Sequence, residues 1–170
     1  NDMNNFFLVR KLRSGSQDPV SITFNNVQNK DQLAEKVSIQ IEASKEDLLN
    51  EFNNPKFLDS LKLTEDNFPT IFLGNTYEFY WNTSAKQFIQ RMLKEYHKFW
   101  TEKRIEKAQA IGLSPTEAII LASIIQKETT KYDEFPIIAG VYVNRMKIGM
   151  PLQADPTVLF ALKKLGVSRR

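Results

Sequence analysis

Apolar residues recur along this chain at two different spacings. Val20, Ile22 and Phe24 alternate with polar residues, which is typical of a half-buried strand. Elsewhere apolar residues return every three or four positions, which is the spacing of one face of a helix. Segments with this helical spacing cover about 31–40, 44–54, 57–63, 85–110 and 115–128. The pattern therefore predicts an α+β fold whose second half is mainly helical.

Two neighbouring segments are rich in aromatic and β-branched residues. They are 69–74 and 76–81, and Gly74-Asn75 lies at their junction. Gly and Asn are typical of tight turns between paired strands. The pattern therefore predicts extended structure here, with a hairpin as its simplest form.

The best-defined helix start in the chain lies at Ser114. Ser114 can cap the helix, Pro115 fits the first helical position, and Glu117 stands three residues after the cap. The apolar positions then continue at helical spacing as far as Ile125. This combination predicts a capped helix that ends near Thr129.

Glu128 lies at the end of this predicted helix. It follows Leu121 by seven residues and Ile124 by four, so the helix turns its carboxylate toward the apolar face. Partial burial and the carbonyl end of a helix both disfavour the charged form of a carboxylate. A carboxylic acid that keeps its proton near neutral pH is suited to general acid catalysis. The alternative is a structural Glu that pairs with a Lys or Arg, or bends out to water.

Three sequence blocks in this region occur in a recognisable order and spacing. They are Leu121–Thr129 (LASIIQKET), Ala139–Met146 (AGVYVNRM) and Gly149–Val158 (GMPLQADPTV). Together they resemble the YceG-like family, the endolytic murein lytic transglycosylases of bacteria. A looser resemblance extends back over Gly74–Tyr80. The resemblance favours a helix over 137–146, which the pattern alone leaves open between helix and strand.

The resemblance implies an activity and a set of site residues. The activity is cleavage of the MurNAc–GlcNAc bond within peptidoglycan strands, which leaves 1,6-anhydroMurNAc ends, with one Glu as general acid and base. The residues implied are Glu128 for catalysis, and Asn144, Arg145, Gln153, Asp155 and Tyr77 for substrate binding. Purely structural roles are the alternatives. Arg145 could form an ion pair with Asp155, Asp155 before Pro156 could cap a helix, and Tyr77 could pack in the core.

One residue departs from the pattern of many family members. They have Glu-Lys-Glu-Thr where this chain has Gln126-Lys-Glu-Thr129. Gln126 lies about 200° around the helix from Glu128, so the two are not expected to share one role. We assign catalysis to Glu128. A glycan-binding or cell-wall synthesis scaffold without catalysis is the alternative function.

The predicted elements also suggest two domains. The order strand, helix, helix in the first part resembles a small LysM-like module, a fold that holds peptidoglycan glycans, although a plain α+β packing module fits as well. We expect this LysM-like module, with its lead-in, over 1–66. The YceG-like catalytic domain is expected over 67–170, and the resemblance implies that it is incomplete at its C-terminal end.

Composition excludes several other functions. The 170 residues carry 23 Lys and Arg against 20 Asp and Glu, a net charge of +3, and these charges are interspersed. Nucleic-acid binding is therefore not expected. Cysteine is absent and His97 is the only histidine, so the sequence has no metal signature, and neither a metal nor an organic cofactor is expected.

Membrane attachment and partners are implied by the resemblance alone. No apolar run reaches the roughly 18 residues that a membrane span needs, and no signal peptide is recognisable at Asn1. The family implies a single N-terminal anchor, absent from these residues, in the bacterial inner membrane, with the catalytic part on the periplasmic or extracytoplasmic side. The implied partners are peptidoglycan glycan strands and penicillin-binding synthases.

Overall fold

The computed structural model of the chain describes residues 4–24, 27, 29–60, 62–64 and 67–166. The chain forms two compact units, Asn1–Phe99 and Trp100–Arg170. The elements of the first are α1 (Asn5–Ser14), β1 (Val20–Phe24), α2 (Lys30–Ser38), α3 (Lys45–Phe52), α4 (Pro55–Ser60), a 3₁₀ helix (Phe68–Ile71), β2 (Asn75–Phe79) and α5 (Ala85–Phe99). The elements of the second are α6 (Glu102–Ala110), α7 (Pro115–Glu128), α8 (Phe135–Lys147) and α9 (Asp155–Lys164). The α+β class predicted from the sequence is confirmed.

The strands β1 and β2 pair with each other in an antiparallel sheet. In its register, Val20 lies opposite Phe79 and Ile22 opposite Tyr77. The strand predicted around Ile22 is therefore confirmed, and so is extended structure over Asn75–Phe79, but the hairpin predicted as the alternative within 69–81 is wrong. Phe68–Ile71 forms a 3₁₀ helix instead, because its apolar side chains turn into the core rather than alternate across a sheet.

An aromatic cluster fills the core of the first unit. Phe88 of α5 is fully buried, and other rings surround it. Their centroids lie 5.1–6.4 Å from that of Phe88, and they belong to Phe24, Phe52, Phe72 and Phe79. These rings come from both strands, from α3 and from the segment after the 3₁₀ helix. The cluster therefore joins α5 to the first unit.

The predicted domain boundary does not coincide with the division between the compact units. The boundary was expected after residue 66, and residues 65–66 lie outside the described part of the chain. The units divide at Phe99 and Trp100. The physical reason is the shared aromatic core, since β2 and α5 bury their apolar faces against β1 and α3.

The single long helix predicted over 85–110 is interrupted. Helix α5 ends at Phe99, and Thr101 adopts an extended conformation with φ of −68° and ψ of 158°. The carbonyl of Thr101 then accepts the N–H groups of Arg104 and Ile105. The Thr101 side chain makes no cap hydrogen bond, but Glu102 adds a favourable charge to the first turn. Because the apolar spacing continues through this helix start, the sequence pattern predicts one helix instead of two.

Helix α7 begins as the sequence predicts. The Ser114 hydroxyl accepts the N–H of Glu117 at 3.3 Å, and the Glu117 carboxylate accepts the N–H of Ser114 at 2.8 Å. These two bonds form a capping box. The Ser114 N–H and then the Ser114 hydroxyl lower the pKa of the Glu117 carboxyl. The bounds of α7 match the predicted 115–128 segment, so the position of Glu128 at the helix end is confirmed.

The core of the second unit is smaller. Its buried residues are Leu121, Ile125, Tyr142 and Ala154. They come from α7, from α8 and from the segment just before α9, so these three elements pack around one point. Among the described residues, no single helix is long and apolar enough to cross a membrane; α6 and α7 reach that length and hydropathy only as a pair, and they are bent by 72°.

Replacing Phe88 tests whether α5 belongs to the first core. We expect Phe88→Ala to lower the opening free energy of the β1 and β2 amides by about 3–5 kcal/mol, because the cavity removes contacts with several rings. Native-state hydrogen exchange of these amides measures that quantity. Phe6→Ala is the matched control, since Phe6 is 68% exposed and its loss should cost well under about 1 kcal/mol. Equal effects of the two variants would contradict the assignment of α5.

Candidate active site

Glu128 is the last residue of α7, and its side chain is exposed. One carboxylate oxygen, Oε1, accepts the hydroxyl of Tyr142 at 2.7 Å. The partial burial expected from the helix phase is not found. Leu121 and Ile125 are buried on the same face, but Glu128 lies one turn further on, where the helix leaves the packed core. The carboxylate is therefore accessible to a large substrate.

Tyr142 connects this carboxylate to the core. It lies in α8 and is only 6% exposed, so its ring packs inside the unit while its hydroxyl reaches Glu128. Burial raises the pKa of Tyr142 to about 12, helped by the hydrogen bond and negative charge of Glu128 and by Asp155, and opposed by Arg145. The hydroxyl therefore keeps its proton at neutral pH and acts as a donor.

Arg145 fixes the segment between α8 and α9. Its guanidinium donates to the carbonyl of Leu152, and its own carbonyl accepts the N–H of Met150 at 2.8 Å. Within the described ranges it forms no ion pair with Asp155, so the predicted pairing of these two residues is wrong. Arg145 instead forms hydrogen bonds with the backbone of the segment between α8 and α9.

Gln153 and Asp155 flank the buried residue Ala154. Ala154 is 1% exposed, whereas both neighbours are exposed. Gln153 has φ of +50°, in the left-handed region that residues with a side chain rarely adopt. Because Ala154 is held in the core, its two neighbours are presented on the surface.

Asp155 does not occupy the predicted cap position. It is the first residue of α9, and the carbonyl of Ala154 accepts both the N–H and the hydroxyl of Thr157, at 3.0 and 2.7 Å. The helix therefore starts one residue earlier than expected, at Asp155 itself. A carboxylate in the first turn still interacts favourably with the helix dipole.

Comparison with protein-family models matches residues 1–170 to the YceG-like family. The chain belongs to this family. An endolytic murein transglycosylase of Bacillus subtilis (strain 168) is 28% identical over 173 residues, which cover 92% of this chain and 48% of the relative. An endolytic murein transglycosylase of Streptococcus pneumoniae is 32% identical over 91 residues, or 54% of this chain and 16% of the relative. This YceG-like chain therefore spans about half or less of the length of these relatives.

A solved structure is similar to the whole fold. The crystal structure of a YceG-like protein from Listeria monocytogenes superposes with a TM-score of 0.66 at 26% identity. The match covers 99% of this chain and 60% of the Listeria chain. The two units of this YceG-like chain thus have counterparts in a longer protein.

The structure groups three of the predicted site residues around Tyr142. Glu128, Arg145 and Asp155 all influence the pKa of the Tyr142 hydroxyl, and Glu128 also accepts its hydrogen bond. Gln153 is exposed in the segment just before α9, and Asn144 is exposed on α8. The three grouped residues lie in the second unit, where α7 ends and α9 begins.

Tyr77 has a different environment. It lies in the first unit, is 7% exposed, and its hydroxyl donates to the carbonyl of Leu73 at 2.9 Å. Its ring packs against Phe24, and burial raises its pKa. Core packing, the alternative considered for Tyr77, accounts for this position, and the buried ring has little surface to offer a sugar.

Sequence reasoning missed Tyr142. The apolar residues that stand out in the sequence of α8 are Val141, Val143 and Met146, but Val141 is 45% exposed and Tyr142 is buried. A hydroxyl-bearing residue on the inner face of a helix needs a polar partner. That requirement is a signal which could have linked Tyr142 to the nearest predicted carboxylate.

The loop after Glu128 is held by a second carboxylate. The Thr129 hydroxyl donates to Glu134 at 2.6 Å, and Lys131 donates to the same carboxylate at 3.0 Å. These bonds lower the pKa of Glu134 below its ordinary value of 4.5. The YceG-like site is therefore followed by a loop whose geometry depends on an ionised carboxylate.

This loop predicts a pH-dependent stability difference. A carboxyl with a lowered folded-state pKa stabilises the protein above its unfolded pKa, and that stabilisation is lost as the pH falls through the folded value. We expect Thr129→Val to be less stable than the wild type at neutral pH, and the difference to shrink below pH 4.5. Urea denaturation over this range measures it. Thr130→Val is the control, and a pH-independent difference would contradict the role of Glu134.

Proposed function

We propose that the protein to which this chain belongs is an endolytic peptidoglycan lytic transglycosylase. It cleaves MurNAc–GlcNAc bonds within glycan strands and leaves 1,6-anhydroMurNAc ends. The observation that carries the proposal is the exposed carboxylate of Glu128, which is held by a fixed donor and grouped with Arg145 and Asp155. The names of the Bacillus and Streptococcus relatives support the reaction class.

The proposed mechanism uses Glu128 twice. Its protonated form gives a proton to the oxygen between MurNAc C1 and GlcNAc C4, and the bond from C1 to that oxygen breaks. The resulting carboxylate takes the proton from the C6 hydroxyl of the same MurNAc, and the C6 oxygen forms a bond to C1. No water is consumed, because the nucleophile belongs to the substrate and is already oriented. Ordinary glycosidases need a second carboxylate for this step.

We assign substrate contacts to two exposed polar groups of the second unit. Gln153 is exposed and held at positive φ, and Asn144 is exposed on α8. Amide side chains can both donate to and accept from sugar hydroxyl and acetamido groups. Arg145 contributes through the Leu152 carbonyl, which fixes the segment that carries Gln153.

The first unit is proposed as a LysM-like module that holds the glycan. The strand, helix, helix order of β1, α2 and α3 supports this proposal, as does the antiparallel return of β2 beside β1. For the whole protein we also propose a membrane anchor before this chain, a site facing the peptidoglycan, and association with penicillin-binding synthases. These proposals follow from the family resemblance and from the substrate.

The first test is digestion of purified peptidoglycan by the whole protein, with mass spectrometry of the products. We expect anhydro-ended fragments from the wild type and a loss of at least about 100-fold in Glu128→Gln, which cannot supply the proton. Gln126→Glu is the matched control and should keep the same products, since residue 126 lies on another face. Reducing ends would indicate a hydrolase with Asp155 as second carboxylate. Glycan binding without products would favour the scaffold function.

Gln153 can be tested with a pair of substitutions. Both Gln153→Ala and Gln153→Gly remove the amide, but only glycine relieves the positive φ. We expect both to raise KM by about tenfold, because one substrate hydrogen bond is lost, and the glycine variant to be more stable to heat by about 1 kcal/mol. If only the glycine variant kept the wild-type KM, the backbone conformation of residue 153 rather than its side-chain amide would determine substrate binding.

A further inference from the structure

We propose that Tyr142 is a positioning residue for Glu128: it reserves Oε1 as a hydrogen-bond acceptor and so leaves Oε2 as the oxygen that exchanges protons with the glycan. The inference rests on the proposed function and adds a residue to that site. It follows from a hydrogen bond of 2.7 Å between a buried phenol and an exposed carboxylate.

The burial of Tyr142 makes this donor fixed in space. The residue is 6% exposed and packs with Leu121, Ile125 and Ala154, so its ring cannot swing away as a surface side chain would. A hydroxyl in such a position is satisfied only by the partner within its reach. The Glu128 side chain, which is exposed and otherwise free to rotate, is thereby oriented by the core.

The direction of the bond is also fixed. Three charged groups face the Tyr142 hydroxyl: Glu128 from α7, Arg145 from α8 and Asp155 from α9. Their net effect, together with burial, keeps the phenol protonated at neutral pH. Tyr142 therefore donates whether Glu128 is protonated or ionised, and the exchangeable proton of Glu128 stays on Oε2 throughout.

This arrangement suits a residue that must act first as an acid and then as a base. When Glu128 gives up its proton, the bond from Tyr142 stabilises the carboxylate that forms. The same bond keeps Oε2 directed at the substrate while the C6 hydroxyl approaches. Orientation of this kind contributes to rate because the reacting atoms need not search for one another.

The test compares Tyr142→Phe with Tyr132→Phe in the whole protein. Tyr132 is 85% exposed and undergoes the same chemical change. We expect Tyr142→Phe to lower kcat about tenfold with little change in KM, because the carboxylate loses the donor that orients it while the exposed groups that bind the glycan are unchanged. Tyr132→Phe should match the wild type in both respects.

A readout that does not use activity accompanies it. Tyrosine labelled with carbon-13 at Cζ reports each phenol, and Tyr142→Phe assigns the signal of residue 142. We expect the pKa of Tyr142 to fall from about 12 toward the ordinary 10.0 in Glu128→Ala, and to stay in place in Gln126→Ala. An unmoved titration in Glu128→Ala would overturn the proposal.

The outcomes separate the two proposals. If the wild type yields no anhydro ends, the proposed function fails and the role of Tyr142 fails with it. If the wild type is active, Glu128→Gln is inactive and Tyr142→Phe has the wild-type kcat, only the positioning role is overturned. A loss of activity in Tyr142→Phe that parallels a lower thermal midpoint, with kcat and KM changed together, would also overturn it, since that pattern marks a purely structural residue.

Discussion

The hydrogen bond between Tyr142 and Glu128 is the interaction on which the rest of the second unit depends. A phenol that is 94% buried would leave an unsatisfied hydroxyl in the core unless a partner reached it. Glu128, the last residue of α7, is that partner. The same hydrogen bond therefore completes the core of this unit and orients the carboxylate.

The two ends of α7 determine where that carboxylate lies. The capping box at Ser114 fixes the first turn, and the helical phase then carries Leu121 and Ile125 into the core. Three residues after Ile125 the same face emerges from the packed region with Glu128 at its edge. Ala154 plays the corresponding part for the segment before α9, because its burial presents Gln153 and Asp155 on the surface.

Local signals in the sequence predict the bounds of single helices and strands, whereas contacts between distant residues have no such signal. The bounds of α7 and the strand at Val20–Phe24 follow from capping residues and periodicity over a few positions. The pairing of β1 with β2 joins residues about fifty positions apart, and no local pattern encodes it. The break at Thr101 was hidden because apolar spacing continues through it. The partner of Tyr142 depends on how α8 packs on α7, so burial had to be known before the bond could be inferred.

Asp155 raises the question of whether one carboxylate or two perform the chemistry. It is the exposed first residue of α9, and its negative charge raises the pKa of Tyr142. Of the two carboxylates Glu128 and Asp155, only Glu128 accepts the hydrogen bond of Tyr142 within the described part of the chain. This difference between the two carboxylates supports the proposal that Glu128 alone exchanges protons with the glycan.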